Sequence, residues 1–312
     1  MSAIIWLVSV SSMLGTSDVH WPAAAADAYP RPELLVEAET LAKNAKPYLI
    51  LDVRPKAEFE KGHIAGAYWV DASQWTKEFA KEPKAFAHRL RTAIAKSQRQ
   101  RFVIYDDVKS RDAARLWWIL RYSGHENASL LNGGWKNWQS LQLPIETGIS
   151  SANIWAEWSI ERDSTGSNTL VQSAQRLATM QQLLQTLKNP GVSLIIDARS
   201  ENEYCGSAGM AKRKGSIPGA IHLEWSDLID AQTHKFKSSQ ELTELFKKAG
   251  IKLDQPLVTY CQSGGRASVM AFGLELMGAK QVQNYYASWA EWGNQTDTPI
   301  DQPKPKKPAA DR

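Results

Sequence analysis

A cysteine followed by two glycines and an arginine is the part of this sequence best suited to chemistry. The stretch VTYCQSGGRASVM (258–270) places Cys261, one of only two cysteines, between an apolar run and a helix-like pattern. Gly264 and Gly265 allow positive φ angles, so successive N–H groups can point inward as an anion-binding nest. The start of the following helix adds partial positive charge, and such surroundings favour the thiolate form of a cysteine. We therefore expect Cys261 to be a nucleophile whose loop can also hold a persulfide.

Two alternatives stand beside this interpretation. Free cysteines are among the most buried residue types, so Cys261 is otherwise an inert thiol of the core. The physics of the loop does not separate sulfur transfer from phosphoryl transfer, because both need a thiolate within a ring of N–H groups. In either chemistry the predicted substrate-binding residues of the loop are Gln262, Ser263, Gly264, Gly265 and Arg266.

Further candidate residues follow the strand that is predicted at "SLIIDA". Asp197 and Arg199 end this strand, and the guanidinium of Arg199 is predicted to bind a substrate anion, with an ion pair to a neighbouring carboxylate as the alternative. The alternative to substrate binding by Arg266 is that it pairs with Glu203 and so holds the loop in shape. Asp197 and Glu203 are therefore predicted as structural support.

The chain is a tandem duplication. "YLILDVRPKAEFEKGHIAGAYWV" (48–70) is echoed by "SLIIDARSENEYCGSAGMAKRKGSIPGAIHL" (193–223), which carries an extra segment, and residues 101–138 match 256–292. Trp135 and Trp138 fall on Trp289 and Trp292, which are expected to be core residues. Asp106 falls on Cys261, and its loop lacks both glycines. The first half is therefore predicted to be an inactive scaffold that forms one wall of the cleft.

Each half alternates short apolar runs with amphipathic stretches, which is typical of an α/β fold with a parallel sheet covered by helices on both faces. Ligands bind such sheets outside the carboxyl ends of the strands, where Cys261 is placed. The predicted organisation is a leader or extension at 1–28, a first domain at 33–150, a linker at 151–169, a second domain at 170–298 and a disordered tail at 299–312.

Charge and cysteine usage narrow the partners. The net charge of +4 is spread over 37 basic and 33 acidic residues, so a nucleic acid is not expected as a partner, and a small anion suits the chain better. No cysteine or histidine cluster has metal-ligand spacing, and no metal or other cofactor is predicted. No apolar run reaches the roughly 18 residues of a membrane helix. "AIIWLVSVSSML" followed by "WPAAAADA" resembles a secretory signal and predicts export, for example to a periplasm, with a cytoplasmic extension as the alternative.

Several motifs together resemble the rhodanese (sulfurtransferase) superfamily in its tandem two-domain form. They are the D-x-R-x3-E-[FY] strand ends, "GHIAGA" and "GSIPGA", "CQSGGRAS" and "GGWKNW", and they cover roughly residues 33–298. The resemblance implies two α/β sandwich domains, of which the second carries the nucleophile. It also implies a persulfide on Cys261 that passes sulfur from a small anionic donor to cyanide or a thiol. The C-x4-R spacing from Cys261 to Arg266 is similar to that of rhodaneses, whereas the related phosphatases have C-x5-R.

Thiosulfate is the expected donor, with 3-mercaptopyruvate as the alternative, because thiosulfate is a compact dianion and this chain departs from the mercaptopyruvate pattern. The mercaptopyruvate enzymes that this chain resembles hold their substrate with a pair of arginines, and Glu203 stands where one of them is expected. The inserted segment offers Lys212, Arg213 and Lys214 as further cations for the donor. Cys205, which opens this segment, is interpreted as an incidental half-exposed thiol. The alternative is that the segment folds over the loop, so that Cys205 resolves the persulfide or forms a disulfide with Cys261. A non-enzymatic persulfide carrier for a protein partner remains an alternative function.

Overall fold

The computed structural model describes residues 28–95, 101–148 and 173–305 of the 312. The predicted linker at 151–169 lies outside the described residues, as do all but the last residue of the predicted leader. No helix of the described ranges is long and apolar enough to span a bilayer. The same residues contain no group of three or more histidine, cysteine, aspartate or glutamate side chains placed to hold a metal ion.

The first half is a five-stranded parallel sheet with helices on both faces. Its strands are β1 (Leu35–Val36), β2 (Tyr48–Asp52), β4 (Tyr68–Trp69), β5 (Arg101–Tyr105) and β6 (Ala128–Leu131), in the order β1-β6-β5-β2-β4, while β3 (His63–Ile64) and β7 (Ile145–Glu146) form a separate antiparallel pair. Its helices are α1 (Ala38–Lys43), α2 (Lys56–Lys61), α3 (Ala72–Lys81), α4 (Pro83–Ala95), α5 (Arg111–Tyr122) and α6 (Gly134–Ser140). The predicted parallel α/β architecture is confirmed.

The second half repeats this plan with four strands. They are β8 (Leu194–Asp197), β9 (Ile221–His222), β10 (Leu257–Tyr260) and β11 (Val282–Asn284), all parallel, in the order β11-β10-β8-β9. Its helices are α7 (Met180–Lys188), α8 (Glu201–Tyr204), α9 (Ser239–Ala249), α10 (Gly265–Leu276) and α11 (Ser288–Trp292). Strand β10, which leads to Cys261, lies inside the sheet between β8 and β11, just as β5 lies between β2 and β6.

Local sequence signals explain where helix α9 begins and ends. The Ser238 hydroxyl accepts a hydrogen bond from the N–H of Glu241, and the Glu241 carboxylate accepts one from the N–H of Ser238. This reciprocal pair satisfies two N–H groups that the first turn of a helix leaves without partners. Gly250 then ends the helix in the left-handed conformation, with φ of 77°.

The two halves join through helices α5 and α10, which pack side by side. Trp117 contacts Phe272 with ring centroids 4.9 Å apart, and Trp118 stacks on Tyr286 at 5.3 Å. One continuous hydrophobic core contains residues from both halves. The two helices run parallel, because Arg115 near the start of α5 lies beside Gly265 at the start of α10, and Arg121 near the end of α5 lies beside Glu275 near the end of α10. The N-terminal ends of α5 and α10 therefore point towards the same region.

At the other end of these helices a buried carboxylate holds three arginines together. Glu275, whose side chain is 4% exposed, lies 3.1 Å from Arg121, 2.5 Å from Arg176 and 3.5 Å from Arg31. Arg121 belongs to the first half, and Arg31 comes from the segment before it. Burial and the positive charge of the neighbouring Arg176 lower the pKa of Arg121, and the negative charge of Glu275 opposes this fall. Glu275 is thus an electrostatic link between the halves.

The C-terminal boundary differs from the prediction. The backbones of Asp301 and Ser216 exchange two hydrogen bonds, of 2.8 and 3.0 Å. The side chain of Gln302 donates to the carbonyl of Lys214 at 3.2 Å. The start of the predicted disordered tail therefore packs as part of the second domain, because the inserted segment offers it backbone partners. Residues 306–312 lie outside the described part of the chain.

Candidate active site

Cys261 lies where the central strand β10 ends, and its side chain is almost wholly buried, with 1% of the residue exposed. Its Sγ accepts a hydrogen bond from the N–H of Gly264 at 3.2 Å. Gly264 has φ of 87°, and a Cβ there would come 2.7 Å from the ring of Tyr286. Only glycine fits this position, so the turn that brings an N–H to the sulfur depends on it.

Hydrogen bonds to the loop carbonyls turn the loop N–H groups in one direction. The carbonyl of Cys261 accepts from the N–H of Trp289, and that of Gln262 accepts from the N–H of Ala290, both at 3.0 Å. In a trans peptide the N–H points away from the carbonyl, so the next N–H groups, those of Gln262 and Ser263, point to the opposite side.

The carbonyl of Gly264 is held more firmly still. It accepts from the N–H of Ser268 at 2.9 Å, from the Ser268 hydroxyl at 2.8 Å and from the Asn284 amide at 3.2 Å. The N–H of Gly265, in the same peptide, therefore points away from these groups. Together with the first turn of α10, the loop forms a preorganised set of donors suited to a thiolate or a persulfide anion.

The backbone of Cys261 is fixed by a serine in an uncommon conformation. The N–H of Cys261 donates to the Ser288 hydroxyl at 3.1 Å, and this hydroxyl donates to the carbonyl of Tyr285 at 2.7 Å. Ser288 has φ of 56°, a left-handed value that costs a non-glycine residue about 1–2 kcal/mol. The corresponding residue of the first half is Gly134, with φ of 54°. A serine in this place adds an acceptor for the nucleophile's own N–H.

Arg266 and Glu203 form a bidentate ion pair beside the loop. The two guanidinium N–H groups donate to the two carboxylate oxygens at 2.6 and 2.8 Å. Burial alone would raise the pKa of Glu203, but the bond from Arg266 lowers it to about 2. Burial would lower the pKa of Arg266, but the bond to Glu203 and the attraction of Cys261 raise it. Arg266 lines the cleft with its charge already compensated.

Arg199 does not reach the cleft, which corrects the prediction that it binds substrate. It is completely buried, and its guanidinium donates to Asp197 at 2.6 Å and to the carbonyl of Gly215 at 2.7 Å. In the first half, Arg54 donates in the same way to Asp52 and to the carbonyl of Gly62, at 2.6 and 2.7 Å. Because the half without a nucleophile has the same arrangement, Arg199 and Asp197 serve the fold of the strand end.

A cleft of about 860 Å³ opens in front of Cys261 between the two halves. The second half contributes Cys261, Gln262, Ser263, Gly265, Arg266 and Trp225. The first half contributes four cations, Arg54, Lys77, Arg111 and Arg115, together with Asp71 and Asp112. Arg54 is paired with Asp52. Arg111 is bonded to Asp112 at 3.1 Å, whereas no acidic group of the described residues lies within 4 Å of Lys77 or Arg115. The first half is therefore more than a wall, since it supplies uncompensated positive charge.

The signal for Arg115 was present in the sequence but is visible only after alignment of the repeat. The twelve-residue helices α5 and α10 begin at Arg111 and Gly265, so Arg115 corresponds to Val269. Val269 is completely buried. Arg115 is a charged residue at a position where the other copy has a buried valine. This difference indicates a polar role for Arg115.

Asp106 fills the loop of the first half in the place that Cys261 has in the second. One carboxylate oxygen accepts from the N–H groups of Val108 and Ser110 at 3.0 and 2.9 Å, and the other accepts from those of Asp112 and Ala113 at 2.8 and 2.9 Å. Burial raises the pKa of Asp106 to about 6, although these donors oppose the rise. The loop of the first half therefore contains its own anion.

The inserted segment of the second half packs away from the cleft. The N–H of Arg213 donates to the carbonyl of Gly293 at 3.0 Å, and that of Lys212 donates to the Asn294 side chain at 3.0 Å. Neither Cys205 nor any residue of the Lys212–Lys214 cluster lines the cleft. This corrects the expectation that the cluster supplies cations to the site. It also contradicts the alternative in which the segment folds over the loop and Cys205 acts on the persulfide. The bulk of α11 and of the chain that follows it already covers this side of the sheet.

Trp289 and Trp292 lie in the core, as expected, and both are completely buried. The indole N–H of Trp289 donates to the carbonyl of Arg213 at 3.1 Å, and that of Trp292 donates to the carbonyl of Pro299 at 2.9 Å. They anchor the inserted segment and the C-terminal segment to the sheet, and through α11 they support the loop carbonyls.

The doubled α/β fold and a buried cysteine in a preorganised N–H loop define a class of protein that transfers a group through a cysteine thiolate. The model of the rhodanese-like domain matches residues 37–141 and 179–295, and the chain therefore belongs to the rhodanese family. A thiosulfate sulfurtransferase of Pseudomonas aeruginosa is 28% identical over 279 residues, which cover 86% of this chain and 97% of that protein. A 3-mercaptopyruvate sulfurtransferase of Escherichia coli is 28% identical over 253 residues, or 78% of this chain and 85% of that protein. A sulfur carrier protein of Thermus thermophilus is 29% identical over 289 residues, or 87% of this chain and 98% of that protein. The chain is a sulfurtransferase of this family.

Proposed function

We propose that this sulfurtransferase takes the outer sulfur of thiosulfate onto Cys261 and passes it to cyanide or a thiol. The observation that carries the proposal is the Sγ of Cys261, hydrogen-bonded to the N–H of Gly264 and lining a cleft with uncompensated cations. This arrangement suits a sulfur nucleophile that meets an anion and becomes a charged persulfide.

The reaction has two displacement steps. In the first, the Cys261 thiolate attacks the outer sulfur of thiosulfate, a sulfur–sulfur bond to Cys261 forms, and the bond inside the donor breaks so that sulfite leaves with the electron pair. In the second, the carbon of cyanide or the sulfur of a thiolate attacks the outer sulfur of the persulfide. The bond to Cys261 breaks, the Cys261 thiolate returns, and the product is thiocyanate or a new persulfide. The N–H groups of the loop stabilise the negative charge in both steps.

Thiosulfate is favoured over 3-mercaptopyruvate by the state of the arginines. The guanidinium of Arg199 is bonded to Asp197, and that of Arg266 is bonded to Glu203, so neither offers a free fork to a carboxylate and a neighbouring carbonyl. Arg115 and Lys77 remain, and two separate positive charges suit a compact dianion. The repulsion expected from Glu203 contributes less, because Arg266 neutralises it.

Steady-state kinetics test the choice of donor. With cyanide as the common acceptor, we expect kcat/KM to be larger for thiosulfate than for 3-mercaptopyruvate, and Cys261→Ser to abolish turnover with both. Cys205→Ser is the matched control, because Cys205 does not line the cleft, and it should retain the activity. A larger kcat/KM for 3-mercaptopyruvate would reverse the assignment of the donor while leaving Cys261 as the nucleophile.

A persulfide carrier is the second candidate, and the likeness to the Thermus sulfur carrier protein favours it. A carrier accepts one sulfur on Cys261 and releases it only to its protein partner. A single stoichiometric release of sulfite from thiosulfate, with no further turnover when cyanide or small thiols are supplied, would support this function. Continuous formation of thiocyanate would support the enzyme.

Export of the protein is also a proposal and rests on the N-terminal sequence alone. The apolar stretch at 3–14 and the alanines before residue 29 support it. Expression of the full chain with fractionation of the cells should place a shortened protein, which begins near residue 27 or 29, outside the cytoplasm. A full-length protein in the cytoplasm would contradict export.

A further inference from the structure

We propose that Arg115, which belongs to the half without a nucleophile, is a catalytic residue that binds the anionic group of the donor and stabilises the leaving group. This inference rests on the proposed transfer through Cys261 and adds a specific partner from the other domain. It implies that the active site is complete only where the two halves meet.

Arg115 lies close to the loop that holds Cys261. It lines the same cleft as Cys261, and its guanidinium lies against the first residue of α10, since a Cβ on Gly265 would come 2.4 Å from its Nη2. A side chain on Gly265 would therefore have to displace the guanidinium. Glycine at this place lets the arginine approach the end of the nest, next to the N–H groups that face the nucleophile.

The guanidinium of Arg115 has no carboxylate partner among the described residues. The guanidinium carbon lies 5.9 Å from the centre of the Tyr286 ring. The Nε of Arg115 is nevertheless buried without a hydrogen-bond partner, and no acidic group of the described ranges lies within 4 Å of its guanidinium. The other arginines of the cleft differ, since Arg54, Arg111 and Arg266 pair with Asp52, Asp112 and Glu203. A buried donor without a partner costs free energy, and a bound anion supplies the missing acceptor.

The surrounding charges strengthen the attraction for an anion. Helices α5 and α10 both begin at the cleft, so the positive ends of their dipoles add to the charge of Arg115. In the first step the bond between the two sulfurs of the donor breaks, and the electron pair stays on the departing sulfite. The guanidinium of Arg115 then holds the group on which negative charge collects, while the loop holds the sulfur that remains on Cys261.

The test combines turnover with a readout that does not depend on sulfur transfer. The variants are Arg115→Ala and Arg115→Lys, with Arg89→Ala as the matched control because Arg89 is partly buried in the same domain and pairs with Glu78 and Glu82. We expect Arg115→Ala to lower kcat/KM for thiosulfate about 10²-fold, as loss of one oxyanion donor does. The kcat/KM of Arg115→Lys should lie between those of wild type and Arg115→Ala. Added guanidinium ion should partly restore the kcat/KM of Arg115→Ala.

Alkylation of Cys261 gives the independent readout. The anionic reagent iodoacetate and the neutral reagent iodoacetamide are applied to each variant, and the ratio of their rates is measured. Arg115→Ala should lower this ratio about tenfold by slowing iodoacetate alone, because only the anion needs the guanidinium. An unchanged ratio with turnover within twofold of wild type would overturn the proposal, and so would an equal loss of both rates. A lowered ratio in a protein that does not use thiosulfate would keep Arg115 as the anion site and reject the donor.

Discussion

The ion pair between Glu203 and Arg266 should stabilise the protein at neutral pH and lose its effect in acid. The Glu203 carboxylate has a pKa of about 2 in the folded chain, against an ordinary value of 4.5. Between these values the unfolded chain binds more protons than the folded chain. The stabilisation is therefore present above about pH 4.5 and is lost as the pH falls towards about 2.

The size of this effect follows from the pKa and from the exposure of the pair. Each pH unit of difference between the two pKa values corresponds to about 1.4 kcal/mol. The side chains of Arg266 and Glu203 are 21% and 16% exposed, so solvent reduces the effect. We expect Glu203→Gln, which keeps the shape of the side chain, to lower the free energy of unfolding by about 1–2 kcal/mol at neutral pH.

Urea unfolding of wild type and Glu203→Gln at neutral pH and at about pH 3 measures this difference. The gap between the two proteins should shrink on acidification, because protonation of Glu203 makes wild type resemble the variant. Glu244→Gln, an exposed substitution on α9, is the control and should follow wild type at both pH values. A gap that does not change with pH, or no gap at neutral pH, would refute the assignment.

Three further predictions concern the scaffold around the site. Asp106→Ala should leave turnover within a few fold but lower the free energy of unfolding by about 2–4 kcal/mol, since buried N–H groups lose their acceptor. Urea unfolding, with Asp107→Ala as the control, measures this loss. A collapse of turnover in a folded Asp106→Ala variant would contradict the prediction. Ser288→Ala and Ser288→Gly should both slow turnover about tenfold by releasing the N–H of Cys261, whereas the glycine variant should be the more stable by about 1 kcal/mol. Full activity of Ser288→Gly would show that the hydroxyl is dispensable. Glu275→Gln should cost about 3–5 kcal/mol in thermal or urea unfolding because buried Arg121 loses a buried counter-charge. Exposed Glu126→Gln should cost at most about 1 kcal/mol. Equal effects of the two substitutions would reject the link between the halves.

Features that depend on neighbouring residues in the chain were accessible from the sequence. The duplication, the parallel strands and the place of Cys261 after β10 follow from periodicity and from the glycines beside it. The pairing of Arg266 with Glu203 was accessible as an alternative to substrate binding by Arg266, since a strand end and the adjacent loop meet at one edge of a parallel sheet. These features are set within one half of the molecule, where the order of elements determines which residues meet.

Features that depend on packing between elements were not accessible. Arg115 reaches the nest only because α5 lies beside α10, and the packing of two helices is not written in either of them alone. Arg199 was expected at the cleft, but its side chain turns inward, because Asp197 and the carbonyl of Gly215 offer it buried acceptors. The inserted segment carries lysines that suggested an anion site, yet α11 and the chain near Asp301 hold it on the other side of the sheet.

Every step proposed above requires that Cys261 carries the transferred sulfur. Mass spectrometry of the intact protein and of its peptides, after incubation with thiosulfate and removal of the donor, detects this sulfur on the residue that holds it. We expect a gain of one sulfur atom on the peptide that contains Cys261, its loss on addition of cyanide, and no gain in Cys261→Ser. A sulfur found on Cys205, or a gain that persists in Cys261→Ser, would show that Cys261 is not the carrier.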